Sequence, residues 1–166
     1  MKYLIFVLII LSNCAVAQEQ EDTVKQKAFY AIINSLIDHS VEEVKPRDIE
    51  MADQIWLDAR EVGEFKISRI ENARSVGYDK FDISTLDDLD RDAEIIVYCS
   101  IGYRSEKVAE KMKAAGFTNV KNLYGGIFDW YNQGKQVVDE NGAKTNKVHG
   151  YSRTWGIWLN DAKTVY

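Results

Sequence analysis

The stretch "IIVYCSIGYRS" (residues 95–105) carries an apolar run into a cysteine, and Gly102 and Arg104 follow just before "EKVAEKMKAAGF". A thiol is a nucleophile only as its thiolate, so the surroundings matter through how they stabilise negative charge on Cys99. Three sources are visible. A helix that begins near Arg104 turns its unpaired N–H groups and positive end towards the loop. The loop itself, Ser100, Ile101, Gly102, Tyr103, Arg104 and Ser105, can turn its amides inward as an anion nest, which Gly102 eases because it tolerates unusual dihedrals. Arg104 is a permanent cation placed to meet an anionic substrate. The competing reading is an inert thiol, because free cysteine is among the most buried residue types. Gly102, Arg104 and the helix start tip the balance towards a nucleophile.

Elements must hold that loop. "EIIVYC" (94–99) is the strongest strand of the chain, and residues 104–115 form an amphipathic helix with Val108, Ala109, Met112 and Ala115 on one face, stopped at Gly116. "QIWLDAR" (54–60) is a second short buried strand that ends at Asp58 and Arg60. Further along come a helical turn in "EVGEFKIS", a short strand around Arg74–Val76, and a surface helix in 82–93 capped by Ser84. "VKNLYGG" (120–126) reads as a strand, and "IFDWYNQG" as a helix stopped by Gly134. Upstream, residues 18–27 read as a flexible leader, residues 28–37 as a short helix with His39 at its end, and residues before Pro46 as a short strand, with a helical turn in 47–52. Strands alternating with helices over short connections predict an α/β domain with a mostly parallel central sheet flanked by helices. In such sheets sites form beyond the carboxyl ends of the strands, where Cys99 and Asp58 both fall.

The first residues read differently. "MKYLIFVLIILSNCAVAQ" has a lysine, an apolar run and an Ala-Val-Ala site, the pattern of an export signal cleaved after Ala17. The protein is then periplasmic or secreted. The alternative is a lipoprotein anchored through Cys14, the one circumstance that would bring a membrane into play. The formal charge of the 166-residue chain is -5, with no basic cluster, which argues against nucleic acid as a partner. With Cys14 removed, Cys99 is the sole thiol and has no disulfide partner. His39 and His149 stand apart from any cluster of ligand spacing, so neither a metal nor another cofactor is expected. His149 reaches the loop only if the tail folds over it.

"LDAREVGEF" with "RIENA", then "IVYCSIGYRSEKVAEKMKAAGFTNVKNLYGGIFDWYNQG", resembles a single-domain rhodanese, the sulfurtransferase family, over residues 44–135. The combination of Cys-x-x-Gly-x-Arg leading into a helix, Gly-Gly-x-x-x-Trp downstream and Asp-x-Arg at 58–60 carries the likeness. The resemblance implies a rhodanese-like three-layer fold. It also implies transfer of a sulfane sulfur, from a donor such as thiosulfate or a persulfide to a thiol acceptor, through a persulfide on Cys99. The implied acceptor is a thiol, of a small molecule or of a protein. By the same resemblance Arg104 would bind the anionic donor or hold the loop, and Asp58 and Arg60 would brace the site from the neighbouring strand, or form a plain surface ion pair or loop cap. Two departures stand out: Arg69 where the family commonly has histidine, and Ser100 where thiosulfate-using members often have arginine, which leaves one cation fewer.

Residues 18–43 are then a leader and helix, and residues 136–166 an extension packed on the domain. A phosphatase built on a related cysteine cradle is the nearest rival, but it needs five residues between cysteine and arginine, and four stand here. A low-turnover persulfide carrier, redox sensor or binding module, docking through Trp155 and Trp158, is the rival from another class.

Overall fold

The computed structural model describes residues 23–50 and 54–166. The export signal, the cleavage point after Ala17 and Cys14 therefore lie outside the described residues, as do residues 51 and 52 of the turn expected over 47–52. The chain divides into two compact units, residues 1–35 and 36–166. In the first, helix α1 spans residues 23–34 and buries Phe29 and Ile33. Its described residues lie partly in the stretch expected to be a flexible leader, and it stops five residues before His39. That histidine has φ 54° and places Nδ1 2.8 Å from Glu43 Oε1.

In the second unit, β1 (Glu42–Val44), β2 (Ile55–Asp58), β3 (Arg74–Ser75), β4 (Ile95–Tyr98) and β5 (Val120–Leu123) form one sheet in the order β1-β5-β4-β2-β3. Every pairing in it is parallel. The helices that connect or follow these strands are α2 (Val62–Ile67), α3 (Tyr103–Ala114) and α4 (Gly126–Asn132). The fold is the three-layer α/β arrangement with helices on both faces of a parallel sheet. That layering explains the composition of β4: all four of its residues are buried, because a parallel sheet covered on both faces leaves no polar side.

Strand alternation sorts the two faces. Leu57, Ile95, Val97 and Cys99 share one core with Val108, Ala109 and Met112 of α3. Trp56 and Tyr98 point the other way, where Trp130 of α4 packs edge-on against Trp56 with ring centroids 5.2 Å apart.

Several element ends differ from the sequence expectation. Ala115 is exposed at the C-terminus of α3, and the buried stripe extends backwards to Ser105 and Glu106. The expected surface helix is a 3-10 turn, Ile83–Leu86, capped by Asp82, whose carboxylate accepts the Ser84 N–H at 3.0 Å. Asp accepts that bond better than the serine expected to cap, because its charge suits the helix N-terminus. β5 stops at Leu123, and α4 begins at Gly126.

Beyond α4 the extension forms a hairpin, β6 (Val137–Val138) with β7 (Lys144–Thr145), then β8 (Lys147–His149), α5 (Arg153–Gly156) and β9 (Lys163–Val165). β8 and β9 pair in parallel. The extension is fastened to the sheet-bearing body through Asn132, which donates to the Trp158 carbonyl at 2.7 Å and accepts the Asn160 N–H at 2.8 Å. Among the described residues no helix is long and apolar enough to cross a membrane.

Candidate active site

β4 lies between β5 and β2, so the loop that leaves it is flanked by those that leave both neighbours. Cys99 is the first residue past its end. Gly102, at φ 113°, reverses the chain and serves as the N-cap residue of α3, so that helix begins at Tyr103, one residue earlier than expected. A side chain resists that φ, which is why glycine stands there. The turn points the Gly102 N–H at Cys99 Sγ, 3.2 Å away. Its carbonyl is locked from below: Asn122 Nδ2 donates to it at 3.0 Å, and Ser105 Oγ lies 3.1 Å from it while donating to Asn122 Oδ1 at 2.7 Å. Asn122 is a fully buried amide in the middle of β5, and the loop is the reason a strand interior tolerates it.

α4 closes the loop from the other side. Its Ile127 N–H donates to the Cys99 carbonyl at 2.9 Å, and its Phe128 N–H to the Ser100 carbonyl at 3.2 Å. Gly126 passes so near that a Cβ there would lie 2.4 Å from the Cys99 carbonyl oxygen and 2.6 Å from the Ser100 carbonyl carbon. The Gly-Gly turn thus has a second purpose besides tight turning, a close approach to the thiol-bearing loop.

Arg104 does not reach out to solvent. Its Nη1 and Nη2 donate to Glu64 Oε2 and Oε1 at 2.7 and 2.9 Å, and Nη2 also reaches Ser100 Oγ at 2.9 Å. Of its two expected roles, the structure shows it holding the loop. Burial opposes the Arg104 cation, but the Glu64 hydrogen bonds, the nearby Cys99 sulfur and the Glu64 charge keep it firmly protonated. Burial likewise works against the Glu64 carboxylate, yet Arg104, the Glu61 amide and Arg60 hold it below the usual carboxylate range. Glu64 comes from α2, where it accepts the Glu61 N–H at 3.1 Å. It went unremarked in the sequence, although it sits in the "LDAREVGEF" stretch.

Asp58 and Arg60 are no surface pair. Both are fully buried, bridged from Arg60 Nε to Asp58 Oδ1 at 3.0 Å and from Nη2 to Oδ2 at 2.7 Å. Arg60 Nη2 also donates to the Ser68 carbonyl at 2.6 Å, and the Tyr98 hydroxyl accepts the Ile70 N–H at 3.1 Å. Burial, with Asp58 beside it, pushes the Tyr98 phenol well above its ordinary value. Asp58 points with Tyr98 to the sheet face opposite Cys99, so this network ties α2 and the segment after it to the sheet behind the loop.

A pocket of about 370 Å³ opens over Cys99. Ser100, Ile101, Tyr103 and Arg104 line it from the loop; Tyr78 and Asp79 line it from the segment after β3. The extension supplies the rest. Tyr151 lays its ring 5.0 Å from the Arg104 guanidinium carbon, and Trp155 joins the lining. His149 does reach the site's edge, with Nδ1 3.9 Å from Glu64 Oε1 and accepting the Tyr151 N–H at 3.0 Å. Burial pulls its pKa below the ordinary imidazole value; the Glu64 charge opposes that shift, and the Arg60 and Arg104 cations add to it. Elsewhere, the carboxylates of Asp38, Glu106 and Glu110 cluster, and the Lys107 ammonium supplies their cation, 2.6 Å from Asp38 and 2.8 Å from Glu110.

Residues 40–133 match the rhodanese-like domain family. Curated relatives include a tRNA uridine(34) hydroxylase of Pectobacterium atrosepticum, 35% identical over 89 residues, which are 50% of this chain and 25% of that protein. The chain thus spans about a quarter of the length of the curated relatives it matches. Among solved structures, a rhodanese-related protein from Thermoplasma volcanium is 28% identical with a TM-score of 0.51, covering 60% of this chain and 99% of that one. A thiosulfate sulfurtransferase from Pseudomonas aeruginosa shares the fold at 22% identity and a TM-score of 0.55, covering 72% of this chain and 24% of that one. With a β4–loop–α3 unit of this geometry and a family match across the whole sheet, the chain belongs to the rhodanese-like domain family.

Proposed function

We propose that the protein is a sulfurtransferase that carries a sulfane sulfur as a persulfide on Cys99. The observation that carries this reading is the Gly102 amide aimed at Cys99 Sγ, 3.2 Å away, beside a pocket of about 370 Å³. In the first step the Cys99 thiolate attacks the outer sulfur of the donor. The donor's own bond to that sulfur breaks, and the electron pair leaves on the donor fragment. An acceptor thiolate then attacks the outer sulfur of the Cys99 persulfide, and Cys99 leaves as the thiolate. Sulfur moves at constant oxidation level, so no redox cofactor is needed. The amide and the N-terminal end of α3 favour negative charge on the sulfur in each step. Asp58 and Arg60 act at a distance, by bracing the loop's support.

The hydroxylase activity named for the curated relatives belongs to much longer proteins. A formal charge of -5 weighs against a nucleic acid as this chain's own partner. The same reading makes the protein an exported one, on the strength of residues 1–17. Intact-mass spectrometry tests the relay. Incubation with a sulfane-sulfur donor adds one sulfur atom, cyanide removes it, and Cys99→Ser never gains it. A chain that gains no sulfur from any donor is no sulfurtransferase.

A further inference from the structure

The inference rests on Cys99 carrying sulfur, and concerns which donor delivers it. Among the residues lining the pocket, Arg104 is the one cation. Both of its terminal nitrogens are committed to Glu64 and Ser100, and the Tyr151 ring covers its face. Its charge is cancelled at contact distance. Two further carboxylates stand at the exposed rim. Glu61 accepts the Asp79 N–H at 3.3 Å, which draws the Glu61 and Asp79 chains together on one side of the entrance. The balance over the pocket is therefore negative. Tyr78, Tyr103 and Trp155 add aromatic rings, whose faces attract cations. A small dianion such as thiosulfate meets repulsion at the rim and no available cation inside.

The geometry points to a donor of opposite charge: an alkyl persulfide that carries an ammonium or guanidinium group a few bonds from its sulfane sulfur. A free aminothiol persulfide and a cysteine persulfide flanked by lysine or arginine in a peptide share this chemistry. The Cys99 thiolate attacks the outer sulfur of R–S–SH. The new S–S bond forms as the donor's S–S bond breaks, the outer sulfur keeps its proton, and R–S⁻ leaves beside the cationic group that stabilises it. Glu61 and Asp79 would hold that cation at the rim while the sulfur reaches Cys99.

The experiment follows loading of Cys99 by intact mass with cysteamine persulfide, glutathione persulfide and a persulfidated Cys peptide flanked by lysines, each rate divided by that of a free thiol in solution. Cysteamine persulfide should load about tenfold faster than glutathione persulfide at low salt, as focused charge does for on-rates, and the ratio should shrink as salt rises. In the Glu61→Gln, Asp79→Asn double variant the ratio should collapse towards that of the free thiol. Fastest loading by the peptide assigns the cation to a protein source, and fastest loading by cysteamine persulfide to a small molecule. Equal rates for cysteamine and glutathione persulfides, or a ratio unchanged in the double variant, overturn the charge selection while leaving sulfur transfer intact. Failure of every donor to load Cys99 overturns the sulfur-transfer reading and this inference with it.

Discussion

Glu64→Gln tests whether Arg104 is a spent charge. The substitution keeps the shape and one acceptor but removes the carboxylate that receives Nη1 and Nη2 at 2.7 and 2.9 Å. Glu64 is 6% and Arg104 12% exposed at their side chains, so water replaces little of what is lost. Breaking such a pair on one side costs about 3 kcal/mol, the low end for buried pairs because a hydrogen bond survives. At roughly 2–4 °C per kcal/mol for a chain of this size, the midpoint should fall by about 6–12 °C in a thermal melt followed by circular dichroism. The pH dependence gives an independent check. The folded-state carboxyl titrates below its ordinary value, so the stability it adds is present above that value and lost as pH falls through the folded pKa. Chemical denaturation of the wild type should therefore weaken over that acidic window, and the variant should lose part of the slope. Loading from thiosulfate should also speed up relative to cysteamine persulfide, because Arg104 regains an unpaired charge. A loss under about 1 kcal/mol, the value of an exposed pair, would refute the claim that this charge is buried and cancelled.

Gly126→Ala forces a Cβ to 2.4 Å from a backbone oxygen at φ +57°. Overpacking and left-handed strain together should cost about 2–5 kcal/mol in urea denaturation and change the alkylation rate of Cys99. Gly134→Ala, at φ +75° with open space around it, should cost only about 1–2 kcal/mol and leave that rate alone. Asp58→Asn should cost about 3–5 kcal/mol by stranding the Arg60 cation, whereas Asp58→Leu with Arg60→Met should cost less; a double variant worse than the single would sink the buried-pair account. The His149 pKa is depressed in the fold, so stability should decline as pH falls from the ordinary imidazole value through the folded one, and His149→Gln should remove that slope.

How much of this was legible in the sequence depends on distance along the chain. Cys99, Gly102 and the start of α3 are neighbours, so the strand, the turn and the helix could be read from one short stretch. The partner of Arg104 lies 40 residues upstream, and nothing in "EVGEF" says which cation Glu64 will meet. Asn122 was hidden likewise: a polar residue in a four-residue strand has a meaning only once the Gly102 carbonyl is known to need a donor. Asp58 and Arg60 were recognised as a pair, but their burial depends on which face of the sheet they take, and that depends on the register with Tyr98. The extension was expected to pack on the body. That it brings His149, Tyr151 and Trp155 to the loop follows from the contact of β8 with α2, which no local pattern announces.

The β8–β9 ladder has a consequence for motion beside the site. It is two-stranded, parallel and three residue pairs long, an arrangement with little intrinsic cohesion. It is held by close packing of Gly150 and Gly156 against Thr164 and Tyr166, where a Cβ would lie 2.6 Å and 2.3 Å from the nearest side-chain atoms. The strand that ends in His149 and leads to Tyr151 therefore belongs to a unit able to open locally while the five-stranded sheet stays closed. Amides of 147–150 and 163–165 should exchange with deuterium long before those of β4.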